Sequence, residues 1–342
     1  MFNTKLIGGY VMEEISQDII NRISTGNAIL FVGAGFSKGA VNFKPGNDIP
    51  TSKELARLIG KIGDFNSEDD LQYAADFFIN KYVKDDVAMD NLINELKKTF
   101  YIKESKKEHQ SVVKVPWRRI YTTNYDNLIE ESGRAVGKII ESKDIDDAIN
   151  GQINTSYCVH INGFIANLDK KELNNKFKLS KSSYLSSSNS FIESNWNYIF
   201  KRDLELSSAV IFIGYSLYDI DIEKILFENL EYKKKIFFIE DILKQNEEPN
   251  ARRDFIFSKY GSLIRLGVKG FADLIEKNLH IIEERERSFF TEAFYEFKNS
   301  NNHDNQIGDN DIEDFLRFGI LTQEFIEKGM THDSPPPINK KV

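Results

Sequence analysis

The run Phe31-Val32-Gly33-Ala34-Gly35-Phe36-Ser37 combines residue types that grip a phosphate. Gly33 and Gly35 let the main chain turn sharply and come close to a ligand, and Ser37 sets a hydroxyl beside the amides. Two glycines after a strand also make an ordinary turn, so this run alone leaves both readings open. Thr122-Thr123-Asn124-Tyr125-Asp126 ends a second apolar stretch, and Gly214-Tyr215-Ser216 ends a third. His160 and Asn162 stand just before Gly163 at the end of a fourth, on one face if strand periodicity holds.

The elements that must position these residues are legible as short apolar runs alternating with helical patterns. Strands are expected at 28–32, 118–123, 157–162, 209–214, 235–239 and 262–266, with a further one at 138–141. Helices are expected at 11–24, 52–62 behind the capping box Thr51-Ser52-Lys53-Glu54, 67–83, 86–100, 125–136, 144–150 and 191–206. Residues 164–190 are polar and Ser/Asn-rich and read as a lobe or loop over a site. The pattern predicts a Rossmann-like, doubly wound parallel α/β sheet with a helical insertion at about 51–115. In such folds ligands sit at the carboxyl ends of strands, where all four runs fall. The expected organisation is one domain over 1–282 and a C-terminal helical extension with a disordered tail over 283–342. A stripe of Phe289, Phe290, Phe294 and Phe297 lies in that extension, as core or as a surface for a partner.

Composition narrows the chemistry. Net charge is −8, from 45 basic and 53 acidic residues, which disfavours direct nucleic-acid binding. One cysteine, Cys158, excludes an internal disulfide framework and a four-cysteine zinc site. No two of the five histidines stand at metal-ligand spacing, so no metal is expected. No signal peptide and no membrane-length apolar run is seen, so a soluble, cytoplasmic protein is expected.

Taken in order, Gly33-Ala34-Gly35-Phe36-Ser37, Ile49-Pro50, Thr122 to Ile129 (TTNYDNLI) and Gly214-Tyr215-Ser216-Leu217 with Asp219 resemble the sirtuin-like superfamily. The likeness covers about residues 20–280 and is strongest to sirtuin-like domains of prokaryotic anti-phage defence proteins. It implies NAD as substrate, with Gly33, Ala34, Gly35 and Ser37 at the phosphates and Gly214 and Ser216 on the adenosine side. Thr123, Asp126 and Asn162 complete the implied binding set, and Asp126 is equally a helix N-cap. Asn124 is implied at the ribose next to nicotinamide. The family's His-Gly pair is altered here, because Asn162 precedes Gly163. Either His160 serves as the base, or Asn162 replaces it and activity is weak or absent. His109 reads as a capping or packing residue.

The missing zinc cysteines, and the missing arginine after Ile49-Pro50, turn the expectation from deacylation toward an NAD hydrolase that depletes NAD. Alternatives are an NAD-dependent deacylase or ADP-ribosyltransferase, or a non-catalytic module binding NAD or ADP-ribose. The resemblance also implies a homo-oligomer or a separate sensor partner.

Overall fold

The computed structural model describes residues 10–44, 48–148, 157–173, 175–186, 190–217, 219–243 and 249–285, with no side chains at 10–13. The phenylalanine stripe and the rest of the expected C-terminal extension beyond residue 285 lie outside the described residues.

Seven parallel strands form one sheet: β1 (Ile29–Val32), β4 (Arg119–Thr122), β5 (Glu141–Asp144), β6 (Tyr157–His160), β7 (Val210–Ile213), β8 (Ile236–Glu240) and β9 (Ser262–Arg265). Their order is β5-β6-β4-β1-β7-β8-β9, so β1 lies in the middle; on one side the chain steps outward through β7, β8 and β9, and on the other it runs from β4 to the edge strand β5 and back to β6. All four residues of β1, Ile-Leu-Phe-Val, are buried, as a strand covered on both faces requires. A short antiparallel pair, β2 (Val41–Asn42) with β3 (Ile102–Glu104), stands apart.

Helices cover both faces. One core gathers Ile19, Ile20 and Ile23 of α1 (Tyr10–Ile23), Val112 and Val113 of α5 (Lys107–Lys114), Leu128 and Ile129 of α6 (Leu128–Ala135), and Phe271 and Ile275 of α12 (Gly267–Lys277). On the opposite face, Trp196, Phe200 and Leu204 of α9 (Asn195–Leu206) pack with residues of α10 (Ile220–Glu228) and α11 (Ala251–Tyr260). There Asp203 of α9 accepts from Arg119 Nε at 2.6 Å, Arg118 Nε at 3.0 Å and Tyr121 Oη at 2.7 Å. Arg119 and Asp203 are both buried, so this charge is matched where water cannot reach it.

A third core belongs to the insertion. It joins α2 (Ser52–Gly63), α3 (Leu71–Tyr82) and α4 (Asp86–Phe100) to Phe164, Ile165, Leu173, Phe177 and Leu179. The expected capping box is present, with the Thr51 amide 2.7 Å from Glu54 Oε2. The insertion therefore closes against the segment after β6, which composition reads as loop. That segment holds two short helices, α7 (Lys170–Leu173) and α8 (Lys181–Leu185).

Several expected boundaries move. The strand expected at 138–141 forms at 141–144, and the expected helix at 144–150 is strand end and turn as far as residue 148. The helix expected from Tyr125 begins at Leu128, because Asp126 Oδ1 accepts from the Leu128 amide at 3.1 Å and holds 125–127 in a turn. Helix α5 was not anticipated. Its His109 behaves as expected, buried and accepting from the Lys106 amide through Nδ1 at 3.2 Å. Burial lowers the His109 pKa to about 4.

Candidate active site

The carboxyl ends of β1, β4, β6, β7 and β8 open onto one cavity of about 950 Å³. Gly33, Ala34, Gly35, Thr123, Asn162, Gly214 and Ser216 line it, so most of the predicted binding residues are brought together. Ser37, Asn124, Asp126 and His160 are not at its wall; they form buried layers behind it.

The exits of β1 and β7 touch through main chain. A Cβ on Gly33 would lie 2.6 Å from the Gly214 carbonyl oxygen, and one on Gly35 2.8 Å from Gly214 Cα. Gly214 itself has φ +61°, and its Cβ would fall 2.2 Å from the Phe36 nitrogen. Only glycine fits there. This packing changes what the loop can give a phosphate. The Gly33 amide donates to Ile213 O at 3.0 Å, Gly35 to Gly214 O at 2.9 Å, Phe36 to Gly33 O at 2.9 Å and Ser37 to Ala34 O at 3.2 Å. Of the amides from Gly33 to Ser37, only that of Ala34 has no acceptor among the described residues. The sequence expectation of a cradle of exposed amides is corrected accordingly.

Ser37 is fully buried, so its hydroxyl does not face the cavity. It donates to Asp126 Oδ2 at 2.8 Å and accepts from Asn124 Nδ2 at 3.0 Å, while the same nitrogen donates to Gly33 O at 3.0 Å. Asn124 thus clamps the loop with both N–H groups, and its Oδ1 makes no hydrogen bond among the described residues. Asp126 both accepts from the amide of Leu128, the first residue of α6, and anchors Ser37. Burial raises its pKa to about 6, against the Ser37 and Leu128 hydrogen bonds.

His160 is fully buried beside Phe164, with ring centroids 4.1 Å apart. Its Nε2 lies 2.9 Å from Glu130 Oε1, and its Nδ1 3.2 Å from Asn124 O. Burial works against the imidazolium, but Glu130 and the Asn124 carbonyl outweigh it and hold the pKa above its ordinary value. The candidate base His160 is therefore committed to a buried ion pair. Glu130, Cys158 and His160 also bring three possible metal donors within 4.8 Å, the one such cluster among the described residues. Their chain spacing hides this.

Asn162 occupies the wall instead. Its Nδ2 donates to Thr123 O at 3.2 Å, while its Oδ1 is buried without a partner. Tyr215 Oη, also at the cavity, is buried and unpartnered. Asp219 N-caps α10, accepting from the amides of Asp221 and Ile222. Sequence reasoning missed Lys178, Tyr184 and Glu240, which also line the cavity. No local pattern marks Lys178 or Tyr184; Glu240 ends a strand, which is a usable signal.

Residues 118–262, from β4 to the start of β9, match the family model of the SIR2-like domain. The chain carries a SIR2-like domain. It is 30% identical over 223 residues to the "NAD(+) hydrolase ThsA" of Cytobacillus dafuensis, a match covering 63% of this chain and 40% of that protein. It is 30% identical over 129 residues to the "NAD(+) hydrolase ThsA" of Acinetobacter baumannii (strain 532279), covering 36% of this chain and 24% of that one. The matches thus span less than half the length of these curated relatives. A solved structure described as "Structural Basis for the Mechanism and Regulation of Sir2 Enzymes" is a distant likeness, with 14% identity and a TM-score of 0.40 over 80% of this chain and 97% of that chain. In this SIR2-like domain the Asn-Gly pair 162–163 closes β6, and Gly163 adopts φ +95° as the chain turns toward Phe177. No described helix is long and apolar enough to cross a membrane.

Proposed function

We propose that the cavity binds NAD and hydrolyses it to ADP-ribose and nicotinamide. The observation carrying this reading is that the Gly33–Gly35 loop, clamped from behind by Asn124, and the side chain of Asn162 with its orphan Oδ1 meet at one cavity. The names of the two curated relatives support it. In the reaction the C1′–N bond breaks, its electron pair neutralises the departing nicotinamide, and positive charge builds on the ribose. Water adds to C1′ and releases one proton to solvent. An amide oxygen suits this step, because it orients water and faces positive charge without taking up a proton. This reading gives that role to Asn162, whose side chain lines the cavity. Asn124 fixes the loop, and His160 positions Asn124 through its carbonyl and the strand end through Glu130. The reading extends to a cytoplasmic effector that depletes NAD in anti-phage defence, working with a sensor or as a homo-oligomer; the motif resemblance supports this extension.

A second reading, binding of NAD or ADP-ribose without turnover, is favoured by one observation: His160 is buried behind the wall while an asparagine stands before Gly163. One experiment separates the two. The chain, alone and with its genomic neighbours, is incubated with NAD and nicotinamide release is followed, with Asn124→Ala and Asn162→Ala as controls. Turnover lost in both variants supports hydrolysis. Intact NAD with tight ADP-ribose binding under every condition supports the second reading.

A further inference from the structure

The glycine loop supplies shape and one spare amide, so the charge of an anionic ligand must be met elsewhere in the cavity. Most cavity cations are already matched. Lys38 Nζ is 3.3 Å from Asp241, Arg265 is 2.5 Å from Asp254, and Arg253 pairs with Glu240. Lys181 is exposed at the rim. Lys178 differs from all of these. It is 3% exposed, it lines the cavity, and its ammonium makes no ion pair or hydrogen bond among the described residues. The acidic groups facing it are Asp219 and Asp221, and Asp219 is engaged in capping α10.

The backbone of Lys178 is held from three directions. Its amide donates to Asn162 O at 3.0 Å, and its carbonyl accepts from Tyr125 Oη at 2.6 Å. The preceding Phe177 stacks on Tyr125, with ring centroids 4.4 Å apart. An almost wholly buried side chain that ends in an unpaired ammonium carries a desolvation cost, and the fixed backbone keeps that ammonium at the cavity. Such a group is well suited to meeting an arriving anion, and Asn162 ties it directly to the wall where the glycosidic bond would lie.

We infer that Lys178 is the charged anchor of a subsite for the pyrophosphate of a dinucleotide or of ADP-ribose. This rests on the NAD reading above. In that role it is a binding residue that separates pyrophosphate-bearing ligands from nucleosides.

Titration calorimetry of wild type, Lys178→Met, Lys178→Gln, Lys178→Arg and Lys181→Met tests this with ADP-ribose, adenosine and inorganic pyrophosphate. Lys178→Met and Lys178→Gln should bind ADP-ribose about tenfold or more weakly, equivalent to about 1.4 kcal/mol per tenfold. They should also show a flatter salt dependence and unchanged adenosine binding. Lys178→Arg should keep most of the affinity, and Lys181→Met should stay within about twofold. Because an unpaired buried charge is removed, both neutral variants should melt no lower than wild type. ADP-ribose binding within twofold of wild type in a folded neutral variant overturns the inference. Lys178-dependent binding of pyrophosphate without binding of ADP-ribose or NAD supports the anion subsite and overturns the nucleotide reading. Wild type binding none of these anions overturns both.

Discussion

Replacing Ser37 with alanine tests the buried chain from Asn124 through Ser37 to Asp126. The change removes the hydroxyl donor to Asp126 and the acceptor of one Asn124 N–H. Because the Asp126 folded-state pKa is raised to about 6, the native state holds a proton that the unfolded state has lost between about pH 4 and pH 6. Wild-type stability from this group is therefore greatest at low pH and falls as pH rises through that window, by about 3 kcal/mol at the limit. At about pH 7.5 the carboxylate is charged, and Ser37→Ala removes a charge-assisted hydrogen bond and orphans an amide N–H, at a cost of about 2–4 kcal/mol. At about pH 5 the carboxyl is protonated and the same change costs only about 1–2 kcal/mol. Urea denaturation of both proteins at the two pH values measures the difference. Equal penalties at both pH values, or a loss under about 0.5 kcal/mol at pH 7.5, would refute the reasoning.

Three further outcomes are expected. Gly214→Ala forces a left-handed alanine, at about 1–2 kcal/mol, into main chain that cannot retreat cheaply; nucleotide binding should be lost together with several degrees of Tm by calorimetry. His160→Gln leaves Glu130 buried without its partner, at about 3–5 kcal/mol. Because the folded His160 pKa is raised, that ion-pair contribution is complete below the ordinary histidine value and fades as pH rises through the folded one, so denaturation curves should show the smallest mutational penalty in alkali. Asp203→Leu strands Arg119 and Tyr121 in the opposite core and should destabilise by about 3–5 kcal/mol, while ADP-ribose affinity measured well below the transition stays unchanged.

The sheet was legible because parallel strands buried on both faces are written as unbroken apolar runs, as Ile29–Val32 and Val210–Ile213 are. Strand Glu141–Asp144 at the sheet edge has no such run, and its position was misread by three residues. The capping box at Thr51 was readable because its partners are three residues apart. The hold of Asp126 on Ser37 was not, since the two stand far apart in the chain. Within the site, residues acting through backbone shape, Gly33, Gly35 and Gly214, could be placed from sequence. The direction in which a side chain points could not. Ser37 and His160 turn inward because Asp126 and Glu130 wait there, and Lys178 turns into the cavity from a stretch with no distinguishing pattern.

The contact of Gly33 and Gly35 with Gly214 has a kinetic consequence. Side-chain walls rearrange by rotamer hops within nanoseconds, but a wall of interlocked main chain has no rotamers. The floor of the cavity can change shape only if the exits of two neighbouring strands shift together and several amides exchange partners at once. Ligand entry and release then fall to the rim formed by Lys181, Tyr184, Leu185, Ser216, Asp219 and Ile220, and the tempo of exchange is set there while the floor stays fixed.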